Sequence, residues 1–494
     1  MTEVQVIERV PTGVPGLDTI LNEGFPRGGI HILQGVPGAG KTTLANQICY
    51  HHAAAGGRAL YVTLLSETHS RMLLHLSTMR FFDAARLPDQ VAYISGFGVL
   101  QDEGLPGLVT LLRREIAMRK AGVLVLDGLV AAEDQAASDT KFKTFIQELQ
   151  TQAGLHGCTV FLLTTAKGQA VPPEYTMVDG VVELADDRFG SRTERGLVVR
   201  KLRGSNYLSG RHPFRITEGG LVVYPRVEAA FRVPKRPDQA WSGKLATGVA
   251  GLDTVLGGGF TEGTVTGVLG PSGIGKTVLG LHYLCESSAA EPGLLFGFYE
   301  TESRLRQQAA SLDLDLGGAI DRGEIEVLWQ PQGENVQDAL AHRLLDALER
   351  RGVRRLFLDG LGGFIEASVE PGRMARFFAV LVNEMRSRGV TTLYTMETRD
   401  VVGPGIVVPV SGVSSIVENL IVLRYVEQQA RSRRLLSVVK IRGSSFDPAL
   451  REFVIESGHG FSLAGGFEGA GELLSGFARD RFAEGRHLAS PEGQ

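Results

Sequence analysis

The chain has 494 residues, 51 basic and 55 acidic side chains, a formal net charge of -4, and 43 % hydrophobic against 21 % charged residues. That balance supports sizeable buried cores, excludes disorder for most of the chain, and gives no electrostatic warrant for whole-chain binding to nucleic acid or an anionic membrane. Glycine, at 63 residues, is nearly double its ordinary share of ~7 % without a Gly-X-Y period, and the three cysteines lie too far apart for a disulfide framework or a zinc site.

From the N-terminus, Met1 to Arg9 lacks the apolar region of a signal peptide, and no later apolar run is long enough to span a bilayer. A cytoplasmic, multi-domain protein is therefore expected. The spacing predicts a strand over Gly29 to Gln34 that runs straight into a glycine loop, then a helix from Lys41 to Ala55 stopped by Gly56-Gly57. Ala59 to Leu65 is rich in β-formers. Gly122 to Leu126 and Cys158 to Leu163 are continuous apolar runs, as expected of strands covered on both faces. Strands alternating with helices imply an α/β fold with a mostly parallel sheet and helices on both sides.

The pattern then repeats. Thr12-Gly-Val-Pro-Gly-Leu-Asp18 returns as Thr247-Gly-Val-Ala-Gly-Leu-Asp253, and Gly35-Val-Pro-Gly-Ala-Gly-Lys-Thr42 returns as Gly270-Pro-Ser-Gly-Ile-Gly-Lys-Thr277. Leu124-Val-Leu-Asp-Gly128 returns as Leu356-Phe-Leu-Asp-Gly360, and Lys201-Leu-Arg-Gly-Ser205 as Lys440-Ile-Arg-Gly-Ser444. Four blocks in one order at a nearly constant offset indicate a duplicated domain. The expected division is 1–240 and 241–463, joined by a stretch punctuated by Pro225, Pro234 and Pro237, with a partly ordered tail over 464–494.

The glycine loops carry the chemistry. Gly-x-x-x-x-Gly-Lys-Thr turns successive backbone N–H groups toward a polyphosphate, and the helix that follows adds its positive end. Gly35, Gly38, Gly40, Lys41, Thr42 and Thr43 are the expected ATP-binding residues of the first repeat, and Gly270, Gly273, Gly275, Lys276, Thr277 and Val278 those of the second. The lysines would reach the β- and γ-phosphates, and the Thr42 and Thr277 hydroxyls would sit on Mg²⁺. One such loop could be chance; two, each between a strand and a helix, are not. Asp127 and Asp359 end apolar strands at the carboxyl edge of the sheet, where an acidic residue supports the metal; a plain helix cap is the alternative. Glu67 and Glu300 follow the next strand, 26 residues beyond Lys41 and 24 beyond Lys276, and are the expected bases for attacking water.

Together these motifs resemble the circadian clock protein KaiC family, from about Thr12 to Phe461. The resemblance implies two tandem RecA-like P-loop NTPase domains that hydrolyse ATP and assemble as a double-ring homohexamer with ATP between protomers. It implies that Lys201, Arg203, Lys440 and Arg442 touch a neighbour's phosphate. It also implies a serine autokinase in the second domain acting on Ser414 and Ser415, in a nucleotide- and phosphorylation-switched signalling or timing protein. Partner proteins would dock on the tail or the ring surface. The chain departs from the family's adjacent Glu-Glu pair, showing Ser66-Glu67 and Tyr299-Glu300 instead. Gly360 stands where a hydroxyl residue is expected, and the segment Glu366 to Arg376 also differs, so a clock role does not follow from the match.

A RecA-like DNA-dependent ATPase, a recombinase or helicase relative, shares the same loops. It should line a channel with basic and aromatic residues. Arg431, Arg433 and Arg434 are its one notable cluster, whereas Arg351, Arg354 and Arg355 read as a solvated helix end. Net acidity and two tryptophans do not favour it. A nucleotide-dependent scaffold that does not hydrolyse is the third reading.

Overall fold

The structure, a computed structural model, describes residues 7–65, 69–165, 176–233, 243–398, 417–428, 431–443 and 445–466. The expected base Glu67, the serines Ser414 and Ser415, the linker prolines Pro234 and Pro237 and the tail beyond Gly466 lie outside these residues. The chain divides into two compact units, Met1–Ala230 and Phe231–Gln494.

In the first unit, nine strands form one sheet: β1 (Ile30–Gly35), β2 (Ala59–Thr63), β3 (Val91–Ser95), β4 (Val123–Asp127), β5 (Thr159–Thr164), β6 (Gly180–Phe189), β7 (Arg192–Leu202), β8 (Arg211–Thr217) and β9 (Gly220–Val223). Their order is β3-β2-β4-β5-β1-β6-β7-β8-β9. The run from β3 to β6 is parallel; β6 to β9 turn back as an antiparallel meander. Four helices matter for the site: α1 (Lys41–Ala54), α2 (His69–Leu76), α3 (Phe97–Arg119) and α4 (Asp139–His156).

Side chains alternate across a strand, and here both faces are buried. Leu33, Tyr61, Val125 and Phe161 share a core with Leu44 and Ile48 of α1. Their neighbours Ile32, Leu60, Leu124 and Leu162 share another with Leu108 and Leu112 of α3 and Phe145 and Leu149 of α4. The helices therefore lie on both faces of a mostly parallel sheet, as the alternating pattern predicts.

The second unit repeats this plan with β10 (Val265–Gly270), β11 (Gly293–Gly297), β12 (Ile325–Trp329), β13 (Arg355–Asp359), β14 (Thr391–Glu397), β15 (Asn419–Gln428), β16 (Arg431–Ile441), β17 (Arg451–Glu456) and β18 (Gly460–Gly466). The order β12-β11-β13-β14-β10-β15-β16-β17-β18 matches the first sheet strand for strand. Its helices include α5 (Lys276–Cys285), α6 (Glu302–Ser311), α7 (Gln337–Arg351) and α8 (Met374–Ser387).

The repeated Thr-Gly-Val motif has a local structural job. The Asp18 carboxylate accepts the Thr12 N–H at 2.9 Å while the Thr12 hydroxyl accepts the Val14 N–H at 3.1 Å. Asp253 and Thr247 repeat both bonds, at 2.8 and 3.1 Å. One expectation is corrected: Arg355 is not part of a solvated helix end. It opens β13, is 4 % exposed, and donates to the Ala246 carbonyl at 2.8 Å and the Glu291 carboxylate at 3.1 Å. The arginine run therefore spans the helix end at Arg351 and the start of a buried strand. Among the described residues, no helix is long and apolar enough to cross a membrane.

Candidate nucleotide-binding sites

Each glycine loop joins a central strand, β1 or β10, to the helix that follows it. Gly38 and Gly40 have φ of 81° and 102°, and Gly273 and Gly275 have 74° and 117°, a region that side chains with a Cβ rarely adopt. A Cβ at Gly40 or Gly275 would also come within 2.8 Å of Ile216 or 2.3 Å of Ile455. α1 and α5 begin at Lys41 and Lys276, so their unsatisfied N–H groups face the loop. Thr43 and Val278 stand in those first turns.

The Lys41 ammonium donates to the carbonyls of Gly35 and Val36 at 2.7 and 3.1 Å, and Lys276 donates to Gly270 and Pro271 at 2.8 and 2.7 Å. Both ammonium groups thus lie over their own loops. Burial pushes both lysines down from their ordinary pKa. The Asp127 charge opposes this at Lys41; Glu397 and then Asp359 oppose it at Lys276.

Both strand-end aspartates lie where the motif spacing puts them. The Thr42 hydroxyl donates to Asp127 Oδ2 at 3.3 Å, and the Thr277 hydroxyl to Asp359 Oδ2 at 3.0 Å. A hydroxyl beside a carboxylate is a hard oxygen pair that fits Mg²⁺, which keeps waters and phosphate oxygens as its other ligands. Among the described residues no group of three His, Cys, Asp or Glu forms an all-protein cage. Burial pushes the Asp359 carboxyl up, even against hydrogen bonds from Thr395 and Thr277 and the Lys276 charge, so a cation there would favour the ionised form. In the first unit a cavity of about 650 Å³ opens beside Lys41, Thr42 and Asp127, and extends over His69 and Met72 of α2.

The aspartates are also held by groups that the motifs do not reveal. Tyr61 on β2 donates its hydroxyl to Asp127 Oδ2 at 2.7 Å. In the second unit, Thr395 on β14 donates to Asp359 Oδ1 at 2.7 Å and accepts the Gly360 N–H at 2.8 Å. Glu397, at the end of β14, pairs in register with Gly270 of the loop and is a further carboxylate beside Lys276. A count of residue types past each strand end could have found Glu397; nothing local marks Tyr61.

Glu300 is partly exposed, 3.8 Å from Arg304, and its charge is felt at Asp359. Strand register refines its match to the first repeat. Thr63 pairs with Asp127 and Gly297 with Asp359, so Glu300 stands three residues past the paired position, whereas Glu67 stands four past it. Tyr299 thus stands at the same count past the paired position as Leu65. The two departures at Tyr299 and Gly360 are linked. A Cβ on Gly360, whose φ is 92°, would come 2.3 Å from the Tyr299 ring.

The four basic residues of the Lys-x-Arg motifs lie at the ends of β7 and β16. Lys201 and Arg203 both donate to the Thr176 carbonyl, at 3.2 and 2.8 Å, and Lys440 donates to the Val417 carbonyl at 2.6 Å. Arg442 is exposed, and its backbone N–H donates to the Glu418 carbonyl at 3.2 Å. Of the basic cluster on β16, Arg433 pairs with Glu452 at 3.1 Å and Arg434 lies over the Tyr425 ring at 6.0 Å. Tyr425 in turn donates to the Gly273 carbonyl at 3.0 Å.

A family model described as "ATPase: KaiC" matches the chain twice, over residues 10–228 and 245–464. The chain is 26 % identical over 496 residues to the circadian clock oscillator protein KaiC of Picosynechococcus sp., covering 96 % of this chain and 93 % of that one. It is 25 % identical over 500 residues to the circadian clock oscillator protein KaiC 1 of Synechocystis sp., with 95 % and 92 % covered. To the KaiC of Synechococcus elongatus it is 24 % identical over 491 residues, with 96 % and 92 % covered. Two matched repeats, two glycine loops and two hydroxyl–aspartate pairs give one conclusion: the chain belongs to the KaiC ATPase family.

Proposed function

We propose that the chain binds ATP in both domains and hydrolyses it as a KaiC-type signalling or timing protein. The observation that carries this reading is the hydroxyl–carboxylate pair beside each loop, Thr42 with Asp127 at 3.3 Å and Thr277 with Asp359 at 3.0 Å. Thr42 and Asp127, and Thr277 and Asp359, would hold Mg²⁺, which when bound supplies charge to the β- and γ-oxygens. Lys41 and Lys276 would leave their loop carbonyls for the phosphates. Glu300 would orient and deprotonate the attacking water in the second domain, and Glu67 in the first.

The finer parts of the reading rest on the family. We infer a homohexameric double ring in which Lys201, Arg203, Lys440 and Arg442 neutralise a neighbour's phosphate charge. Their place at strand ends, with Arg203 and Arg442 exposed, supports this. Autophosphorylation of Ser415 and Ser414 by the second domain belongs to the same reading, as do partner proteins and a clock role carried over from the relatives' names.

The test is mass spectrometry after incubation with Mg-ATP, run beside a phosphate-release assay and light scattering. Phosphate release, a sixfold mass and phosphate on Ser415 are expected. No phosphate release would leave the scaffold reading, and a salt-dependent shift on single-stranded DNA would favour the DNA-handling one.

A further inference from the structure

The two sites hold equivalent aspartates with hydroxyls from opposite sides. β4 lies between β2 and β5, and β13 lies between β11 and β14. Asp127 pairs with Leu163 on β5, and the pairing of Leu358 with Tyr394 puts Thr395 at the matching position on β14. On the other side, Tyr61 and Leu295 both stand two residues before the partner of the aspartate, Thr63 or Gly297. The first site therefore has tyrosine and leucine where the second has leucine and threonine.

We propose that Tyr61 is the positioning residue of the first site, its hydroxyl fixing Asp127 as the Thr395 hydroxyl fixes Asp359. The assignment rests on reading Asp127 as metal support. Three observations carry it. Tyr61 is 0 % exposed, and its hydroxyl reaches a carboxylate 66 residues away at 2.7 Å. Its ring lies 5.4 Å from Tyr93, whose hydroxyl donates to Asn46 Oδ1 at 2.7 Å while Asn46 donates to the Thr42 carbonyl at 2.8 Å. A hydrogen-bonded network to the Thr42 backbone thus packs, ring on ring, against the tyrosine that holds Asp127. In the second unit the matching positions are Leu295, Val327 and Leu281, all apolar. Where Thr395 does the work, the network is absent at these three positions.

The hydroxyl itself is not needed for packing, since phenylalanine fills the same space. A hydrogen bond to a charged acceptor is the strong kind, and its loss frees the carboxylate to rotate away from Thr42.

The test uses the full chain carrying Lys276→Ala, so that only the first site binds a fluorescent ATP analogue. Binding is titrated with Mg²⁺ and repeated in excess chelator. Tyr61→Phe should raise the Mg²⁺ needed for half-maximal binding about tenfold while leaving metal-free binding unchanged. Adding Leu163→Thr, which builds the second site's solution into the first, should restore most of the loss. An unchanged Mg²⁺ midpoint in Tyr61→Phe, or an equal loss of metal-free binding, would overturn the assignment. So would a shift that Leu163→Thr does not rescue. Asp127→Asn separates the two layers: a shift there without one in Tyr61→Phe removes only the positioning role, and no shift there removes the metal reading as well.

Discussion

Arg355 lays its guanidinium over the ring of Tyr283, 5.3 Å from the centroid, while its Nη2 holds the Glu291 carboxylate at 3.1 Å. Arg355 is buried, whereas the Glu291 side chain is 38 % exposed. The two partners should therefore respond unequally. Arg355→Ala should cost about 3 kcal/mol, since it empties a buried site and strands the Ala246 carbonyl. Glu291→Ala should cost about 1 kcal/mol or more, leaving the buried arginine with its carbonyl and ring contacts. Urea unfolding followed by the fluorescence of Trp329, on β12, reads the difference. Equal midpoints for both variants would refute it.

Lys41→Ala and Lys276→Ala should each remove one bound nucleotide and leave the other. Each deletes an ammonium lying over its loop, so binding at that site should fall at least about tenfold. Equilibrium dialysis with labelled ATP gives the stoichiometry directly. Full stoichiometry in either variant would mean that the loop is not the phosphate site.

Glu300 and Glu397 are two carboxylates of the second site with opposite expected effects. Glu300→Gln should slow second-domain phosphate release about a hundredfold or more, with ATP binding retained. Glu397→Gln removes a negative charge that faces Lys276, so ATP should bind about threefold tighter at low salt. The gain should shrink as ionic strength rises, because Glu397 is exposed. If Glu397→Gln abolishes hydrolysis while Glu300→Gln does not, the two roles are exchanged.

His31 is wholly buried beside Phe25 and Phe161, and burial pushes its pKa down from 6.5 to about 4. The unfolded chain therefore takes up this proton first as the pH falls. The contribution is fully present above pH 6.5 and is lost as the pH drops toward 4. The full loss is at most about 3 kcal/mol. Calorimetry across this range should show a smaller acid loss for His31→Met than for the wild type. Parallel curves would place the acid sensitivity elsewhere.

What was legible in the amino-acid order follows from distance along the chain. β4 is a continuous apolar run and the glycine loop is a short local pattern, so both are visible within ten residues. The repeat offset then doubles every observation. Tyr61 hides in plain view: in a strand it reads as an ordinary β-former, and its partner lies 66 residues away. Arg355 was hidden differently. Three arginines within five positions look like one solvated surface, yet the turn at Gly352 ends α7 and the next strand carries Arg355 inside. For Glu300 the amino-acid order gives only its distance from Lys276, whereas strand pairing counts it three residues past the partner of Asp359.

The opposite placement of Tyr61 and Thr395 also bears on how the two halves of the gene can trade material. Recombination between repeats that joined β11 to β5 would set Leu295 and Leu163 around the aspartate, with no hydroxyl on either flank. The reverse exchange would set Tyr61 and Thr395 on opposite flanks of one carboxylate, where the parent sites use different oxygens, Oδ2 and Oδ1. The exchange is thus asymmetric, since one direction loses both hydroxyls and the other keeps both. A designed chimera that joins β11 to β5 should need more Mg²⁺ to bind ATP, and the reverse chimera should not.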